Sequence, residues 1–163
     1  MSWSNNVRPK LKLVIVEDTP QQLEAFVRDY KALGYEVCGL LAAKPGAESI
    51  AYTEGKSFCH ATISSEDDLA TRLREQQPDL LLTDGNLTEG DSIIKDGEMV
   101  VKTAARIYPN MPIVMHSTSF NMFPPDHQML IQCEREGYRP MRKFHPEEVH
   151  AHFQSFRGAA RSA

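Results

Sequence analysis

The sequence predicts an α/β fold, a doubly wound parallel sheet with helices on both faces. Two observations predict it. Segments of strand character and segments of helical periodicity alternate five times along the chain, and parallel strands need crossover connections between them. The stretch LLLTD (80–84) is a continuous apolar run that ends in a carboxylate, and such a run reads as a strand covered on both faces.

The first run, LKLVIV (11–16), is rich in β-branched residues and has the length of a strand. EDTP follows, with Thr19 as the N-cap and Pro20 in the first helical turn. Leu23, Phe26, Val27, Tyr30 and Leu33 recur at helical spacing, and Gly34 stops that helix. YEVCGLLA (35–42) is the second strand. The stretch 43–64 breaks the alternation; SIAYTEGKSFCHATIS within it reads as a β-hairpin turning at Glu54-Gly55. SSEDDLATRLREQQ offers a serine cap with acids in the first turn, which predicts a helix from about Ser65. Pro78 ends it and DLLLTD is the third strand. A polar loop, GNLTEGDSIIKD (85–96), leads into a helix over 97–107, and MPIVMHS (111–117) is the fourth strand. Pro124 and Pro125 open a further helix that Gly137 closes. A short strand near 138–142 and a last helix, PEEVHAHFQSF, complete the pattern.

The chain has 163 residues, enough for one domain with a core that needs no staples. Its formal net charge of −4 gives no electrostatic case for nucleic acid or an anionic membrane. No apolar stretch has the length of a membrane span, and MSWSNNVRPK is too polar for a signal peptide. Cys38, Cys59 and Cys133 are odd in number and lack C-x-x-C spacing, the pattern of reduced intracellular thiols. A cytoplasmic protein is expected, with flexible ends at 1–9 and 158–163 around a single unit over 10–157.

In a parallel sheet the carboxyl ends of the strands share one edge, where ligands bind. Strand one ends in Glu17-Asp18, strand three in Asp84, strand four in Ser117, and strand five leads to Lys143. Three carboxylates brought together repel unless a cation sits among them. Carboxylate oxygens with waters and a substrate phosphate describe a Mg²⁺ site, and a hydroxyl and an ammonium beside it suit a phosphoryl group.

With LVIVED, PDLLLTD, MPIVMHST and MRKFHPEEV in that order, each at a strand end, the sequence resembles the receiver domain of two-component response regulators over about residues 10–157. The resemblance implies a flavodoxin-like fold of five strands in the order 2-1-3-4-5. It implies that Asp84 accepts a phosphoryl group from a phosphohistidine on a sensor histidine kinase or histidine phosphotransfer protein. Asp18 would bind Mg²⁺ directly, Glu17 through a water, and the backbone carbonyl of Asn86 would be a further ligand. Ser117 would bind a phosphoryl oxygen, and Lys143 would pair first with Asp84 and then with the phosphate. The protein would be a phosphoacceptor rather than an enzyme, passing its signal to a downstream protein whose identity the sequence does not give. No output domain is recognised after Arg157, and the apolar stripe Val149, Phe153 and Phe156 would suit a homodimer.

The chain departs from the family pattern in several places. The family places an Asp-Gly sooner after the acceptor; here Asp96-Gly97 enlarges the loop to 85–96. A Lys-Pro step, often cis, is usual; Phe144 follows Lys143 here, and a trans bond with an altered loop is expected, since a cis bond without proline costs about 2.5–4 kcal/mol. Pro140 stands where the family has an aromatic that swings inward, with Tyr138 two residues earlier. Thr118 adds bulk where a small residue is common, which would slow hydrolysis of the phosphate. These departures, with the 43–64 insertion, keep open an alternative: a pseudo-receiver that binds partners without being phosphorylated.

Blander readings stand beside each motif. Asp84 alone would pass for a turn residue, and Glu17-Asp18 for acids at a helix N-terminus. His145, His150 and His152 lack shared-face spacing and read as solvated, Cys59-His60 lacks partners at ligand spacing, and Met111, Met115, Met122 and Met129 read as core filler. A haloacid-dehalogenase-type hydrolase would need a second acid where Asn86 stands, and nucleotide binding would need a Gly-rich loop after the first strand.

Overall fold

In the computed structural model, residues 9–122 and 128–159 are described, the side chains of 121–122, 128–130 and 157–159 excepted. The strands are β1 (Lys12–Glu17), β2 (Glu36–Ala42), β3 (Ala61–Ile63), β4 (Leu80–Asp84), β5 (Ile113–Ser117) and β6 (Arg139–Arg142). The helices are α1 (Pro20–Ala32), α2 (Glu48–Thr53), α3 (Glu66–Gln76), α4 (Gly97–Ile107), α5 (Gln128–Arg135) and α6 (Pro146–Ala159), and a 3₁₀ turn spans Thr118–Met122. The expected flexible ends and the Pro124-Pro125 helix start lie wholly or largely outside the described residues.

All the strand pairings are parallel, in the order β3-β2-β1-β4-β5-β6. The sheet therefore has six strands where five were expected. Five of them keep the expected order; the sixth, β3, is added outside β2, pairing Leu40, Leu41 and Ala42 with Ala61, Thr62 and Ile63. The stretch 43–64 supplies it, and the expected hairpin there is corrected. Its first arm is the helix α2, the chain turns at Glu54-Gly55, and only 61–63 is extended. Gly39 permits the crossing: a Cβ there would lie 2.2 Å from the carbonyl oxygen of Phe58. The His60 amide donates to the Gly39 carbonyl oxygen at 2.8 Å.

Strand residues alternate between two cores. Val14, Val16, Leu40 and Leu81 pack with Leu69 and Leu73 of α3 and Val100 and Ala104 of α4. Leu13, Ile15, Leu80 and Leu82 pack with Leu23, Phe26 and Tyr30 of α1 and Val149 and Phe153 of α6. Each fully buried leucine contributes about 1.5–3 kcal/mol, so both faces hold the strand ends rigidly. Val149 and Phe153 are thus spent inside the fold, which leaves Phe156 as the exposed member of the stripe read as a dimer surface. Met115 is buried and Met111 packs against the first core; Met122 and Met129 have side chains outside those described. The solvated reading of His150 is also corrected, because its Nδ1 lies 2.7 Å from the Tyr35 hydroxyl.

The starts of α3 and α4 follow local chemistry, and that of α1 does not. Ser65 caps α3 by accepting from the Asp68 amide at 3.1 Å, and Asp96 caps α4 by accepting from the Met99 amide at 2.9 Å. Thr19 occupies the N-cap position of α1, but its side chain makes no cap bond. Its hydroxyl donates instead to Glu89 Oε2 at 2.8 Å. Among the described residues, no helix is long and apolar enough to cross a membrane.

Candidate functional site

Glu17 closes β1 and Asp18 follows it, Asp84 closes β4, Ser117 closes β5, and Lys143 follows β6. The parallel register brings these ends to one edge, and a cavity of about 230 Å³ opens there, lined by Asp18, Asp84, Glu89, Ser117, Lys143 and Phe144. Glu17, Asp18, Asp84 and Lys143 are all buried. Each of the three acids offers a carboxylate oxygen within 4.8 Å of the others.

Lys143 is the cation among them. Its ammonium donates to Asp84 Oδ2 at 2.8 Å and lies 3.4 Å from Glu17 Oε2. Burial acts to lower the Lys143 pKa, but the Glu17 and Asp84 carboxylates outweigh it and hold the ammonium above the usual lysine range. Glu17 is held well above the carboxylate range, by burial first and by the Asp84 charge second, against the pull of Lys143. Glu17 Oε1 accepts the amides of Asp18 and Thr19 at 3.1 and 3.3 Å, whereas the buried Oε2 has no hydrogen-bond donor. An acceptor held only by the 3.4 Å ion pair with Lys143, beside two more carboxylates, is an oxygen donor set suited to Mg²⁺, and the residues present fit that ion.

The turn after β4 is tight. The Asn86 amide donates to Asp84 Oδ1 at 3.3 Å, and Asn86 pairs with Asp96 in an isolated antiparallel bridge. Gly97 packs against this turn, since a Cβ there would lie 2.5 Å from the Asp84 carbonyl oxygen and 2.8 Å from Met115 Cε. Ser117 lines the cavity, and its carbonyl oxygen accepts the Lys143 amide at 3.4 Å.

Sequence reasoning missed other contributors. The amides of Glu89 and Gly90 donate to Asp18 Oδ2 at 2.7 and 3.2 Å. Backbone donors have no side-chain signature; only the length of the 85–96 loop hinted at them. His116, buried beneath the site, packs its ring on Phe26 at 4.7 Å, and burial followed by the Lys143 charge pulls its pKa down to about 3. No cis peptide occurs among the described residues, so the Lys143–Phe144 bond is trans as expected, and Phe144 takes a left-handed conformation at φ +66°. Its ring faces Phe26 at 5.7 Å and lies 5.7 Å from the Lys143 ammonium. Tyr138 is buried with Cys133 in the first core, and Pro140 is buried on β6.

No family model and no curated protein matches the sequence. Solved structures do match the fold. The chemotaxis protein CheY4 of Vibrio cholerae aligns at 17% identity and a TM-score of 0.58, over 90% of this chain and 98% of that one. The N-terminal domain of the nisin resistance regulator NsrR, a lantibiotic response regulator, aligns at 18% identity and 0.56, over 90% and 97%. The anti-anti-sigma factor PhyR of Bartonella quintana aligns at 16% identity and 0.56, over 96% of this chain and 53% of that one. The fold is that of a response regulator receiver domain. The acidic cluster of Glu17, Asp18 and Asp84 sits in this receiver fold where a Mg²⁺ site fits.

Proposed function

We propose that residues 10–157 act as a receiver unit in the cytoplasm, with Asp84 accepting a phosphoryl group from a phosphohistidine on a sensor histidine kinase or histidine phosphotransfer protein. The observation that carries this reading is the buried contact of Lys143 Nζ with Asp84 Oδ2 at 2.8 Å, beside two further acids. An Asp84 carboxylate oxygen attacks phosphorus, the phosphorus–nitrogen bond breaks, and the imidazole leaves with the electron pair and takes a proton from solvent. Lys143 releases Asp84 to pair with the transferred group, and the Ser117 hydroxyl donates to one of its oxygens. Asp18, Asp84 and the Asn86 carbonyl would hold Mg²⁺, with Glu17 acting through a water; the bound ion supplies positive charge that offsets the charge on the equatorial oxygens. The chain then acts as a phosphoacceptor, with altered affinity for a downstream protein as its output.

Incubation with Mg²⁺ and acetyl phosphate, followed by intact-mass analysis, tests this. The wild type gains one phosphoryl group and Asp84→Asn gains none. A gain that survives Asp84→Asn sinks the assignment of the acceptor. A wild type that gains nothing favours the second reading, a pseudo-receiver that binds partners unphosphorylated. The phenylalanine after Lys143, the proline at 140 and the enlarged 85–96 loop are the observations on that side.

A further inference from the structure

The loop 85–96 departs most from the receiver pattern, yet it is built into the molecule. Leu87 and Ile94 are fully buried, and the Leu87 amide donates to the Lys95 carbonyl oxygen at 3.0 Å, closing the neck. The tip, 88–91, lies over the end of β1. There the Glu89 and Gly90 amides hold Asp18 Oδ2 at 2.7 and 3.2 Å, and Glu89 Oε2 accepts from the Thr19 hydroxyl at 2.8 Å. The 43–64 stretch clamps the tip from the other side. The Lys44 amide donates to the Gly90 carbonyl oxygen at 3.0 Å, and Lys44 Nζ lies 2.5 Å from Asp91 Oδ2. Position 90 admits only glycine in this arrangement, because a Cβ would lie 1.9 Å from the Ala42 carbonyl oxygen.

We propose that the Glu89 and Gly90 amides position the Asp18 carboxylate for Mg²⁺, so that metal occupancy and the docked tip of the loop reinforce one another. The inference rests on the Mg²⁺ reading given above. Two N–H donors on Oδ2 fix the plane of the carboxylate and leave Oδ1 free for a cation; the Thr19 hydroxyl lies 3.5 Å from Oδ1, but its proton goes to Glu89. Hydrogen bonds to a ligating carboxylate set its orientation, and their loss costs about 10–100-fold in metal affinity. Linkage makes the effect reciprocal: whatever the docked tip adds to metal binding, bound metal adds to tip docking. Glu89 and Gly90 are thus positioning residues acting through Asp18, and the two segments that depart from the family, 43–64 and 85–96, serve one purpose at this edge.

Calorimetric titration with MgCl₂ on the wild type and on Gly90→Ala tests the first half of the coupling, and hydrogen–deuterium exchange over residues 87–92 with and without Mg²⁺ tests the second. The proposal expects Gly90→Ala to weaken Mg²⁺ binding about tenfold or more, and expects exchange at the tip to slow when Mg²⁺ is added to the wild type. A merely structural role for Gly90 would lower the melting temperature and leave the Mg²⁺ affinity of the folded protein unchanged, which overturns the proposal. Tip exchange that is equal with and without saturating Mg²⁺ also overturns it, and needs no variant to fold. A wild type that shows the coupling but takes no phosphoryl group leaves this inference standing and removes the phosphoacceptor reading. One that takes the phosphoryl group without the coupling does the reverse, and a wild type that binds no Mg²⁺ overturns both.

Discussion

Lys143 holds two buried carboxylates at once, so it carries structural as well as chemical weight. Replacing it by methionine keeps the stem and removes the charge, leaving Glu17, Asp18 and Asp84 to repel one another. We expect Lys143→Met to cost on the order of 3 kcal/mol in urea denaturation with EDTA present, and added Mg²⁺ to restore part of it. An unchanged urea midpoint would show that the ammonium is not needed to hold the acids together. His116 gives a pH signature of its own. Its folded pKa lies near 3, below the ordinary value of 6.5. The unfolded chain therefore binds a proton that the native state refuses, and stability falls as pH drops below about 6.5, with a limiting slope of about 1.4 kcal/mol per pH unit. His116→Leu should flatten that part of the profile of urea midpoint against pH; an identical profile would refute the assignment. At this scale the sequence was legible wherever a side chain marked a strand end, as for Asp84, Ser117 and Lys143. His116 stayed hidden because it looks like any polar residue inside MPIVMHS until the core around it is known.

The helices predicted best were those whose ends carry caps. Ser65 marks α3 in the sequence and its side chain bonds as the position requires; Asp96 caps α4 in the same way, but only the structure shows it. Thr19 looked equivalent and is not, since Glu89 takes its hydroxyl from seventy residues away in the chain. Ser65→Ala should therefore cost about 1 kcal/mol in chemical denaturation. Thr19→Ala should cost less, and should speed amide exchange at 88–91 instead. Equal losses for the two variants would mean that Thr19 does cap α1. Gly97→Ala should destabilise by about 1–3 kcal/mol, because the new methyl meets the Asp84 carbonyl oxygen and Met115; a neutral result would mean that the turn after β4 yields freely. The elements that escaped the sequence are α2 and β3. A helix of six residues and a strand of three are too short for any period to show, and their placement depends on a backbone crossing at Gly39.

Across the whole molecule, the alternation of strands and helices was enough to specify two cores and one shared edge for the chemistry. It stopped at five strands where the sheet has six, because a short outer strand adds little to the hydrophobic pattern. The order of the sheet predicts a gradient of protection. Amides of β1 and β4, paired on both sides, should exchange only through global unfolding, and those of β3 through local opening. Mass-resolved exchange checks this, and a β3 as slow as β1 would contradict it. The small outer strand also bears on how the protein keeps to itself at high concentration. Without β3 and the Phe58–His60 crossing, β2 would present a seven-residue, largely apolar strand with a free row of amides and carbonyls, the template on which chains add edge to edge into aggregates. The three residues of β3 and the His60 amide cover the apolar half of β2, from Gly39 to Ala42, and offer a stranger too little length to grip. At the other margin, β6 is four residues with an arginine at each end, Arg139 and Arg142, and charge there discourages the same growth.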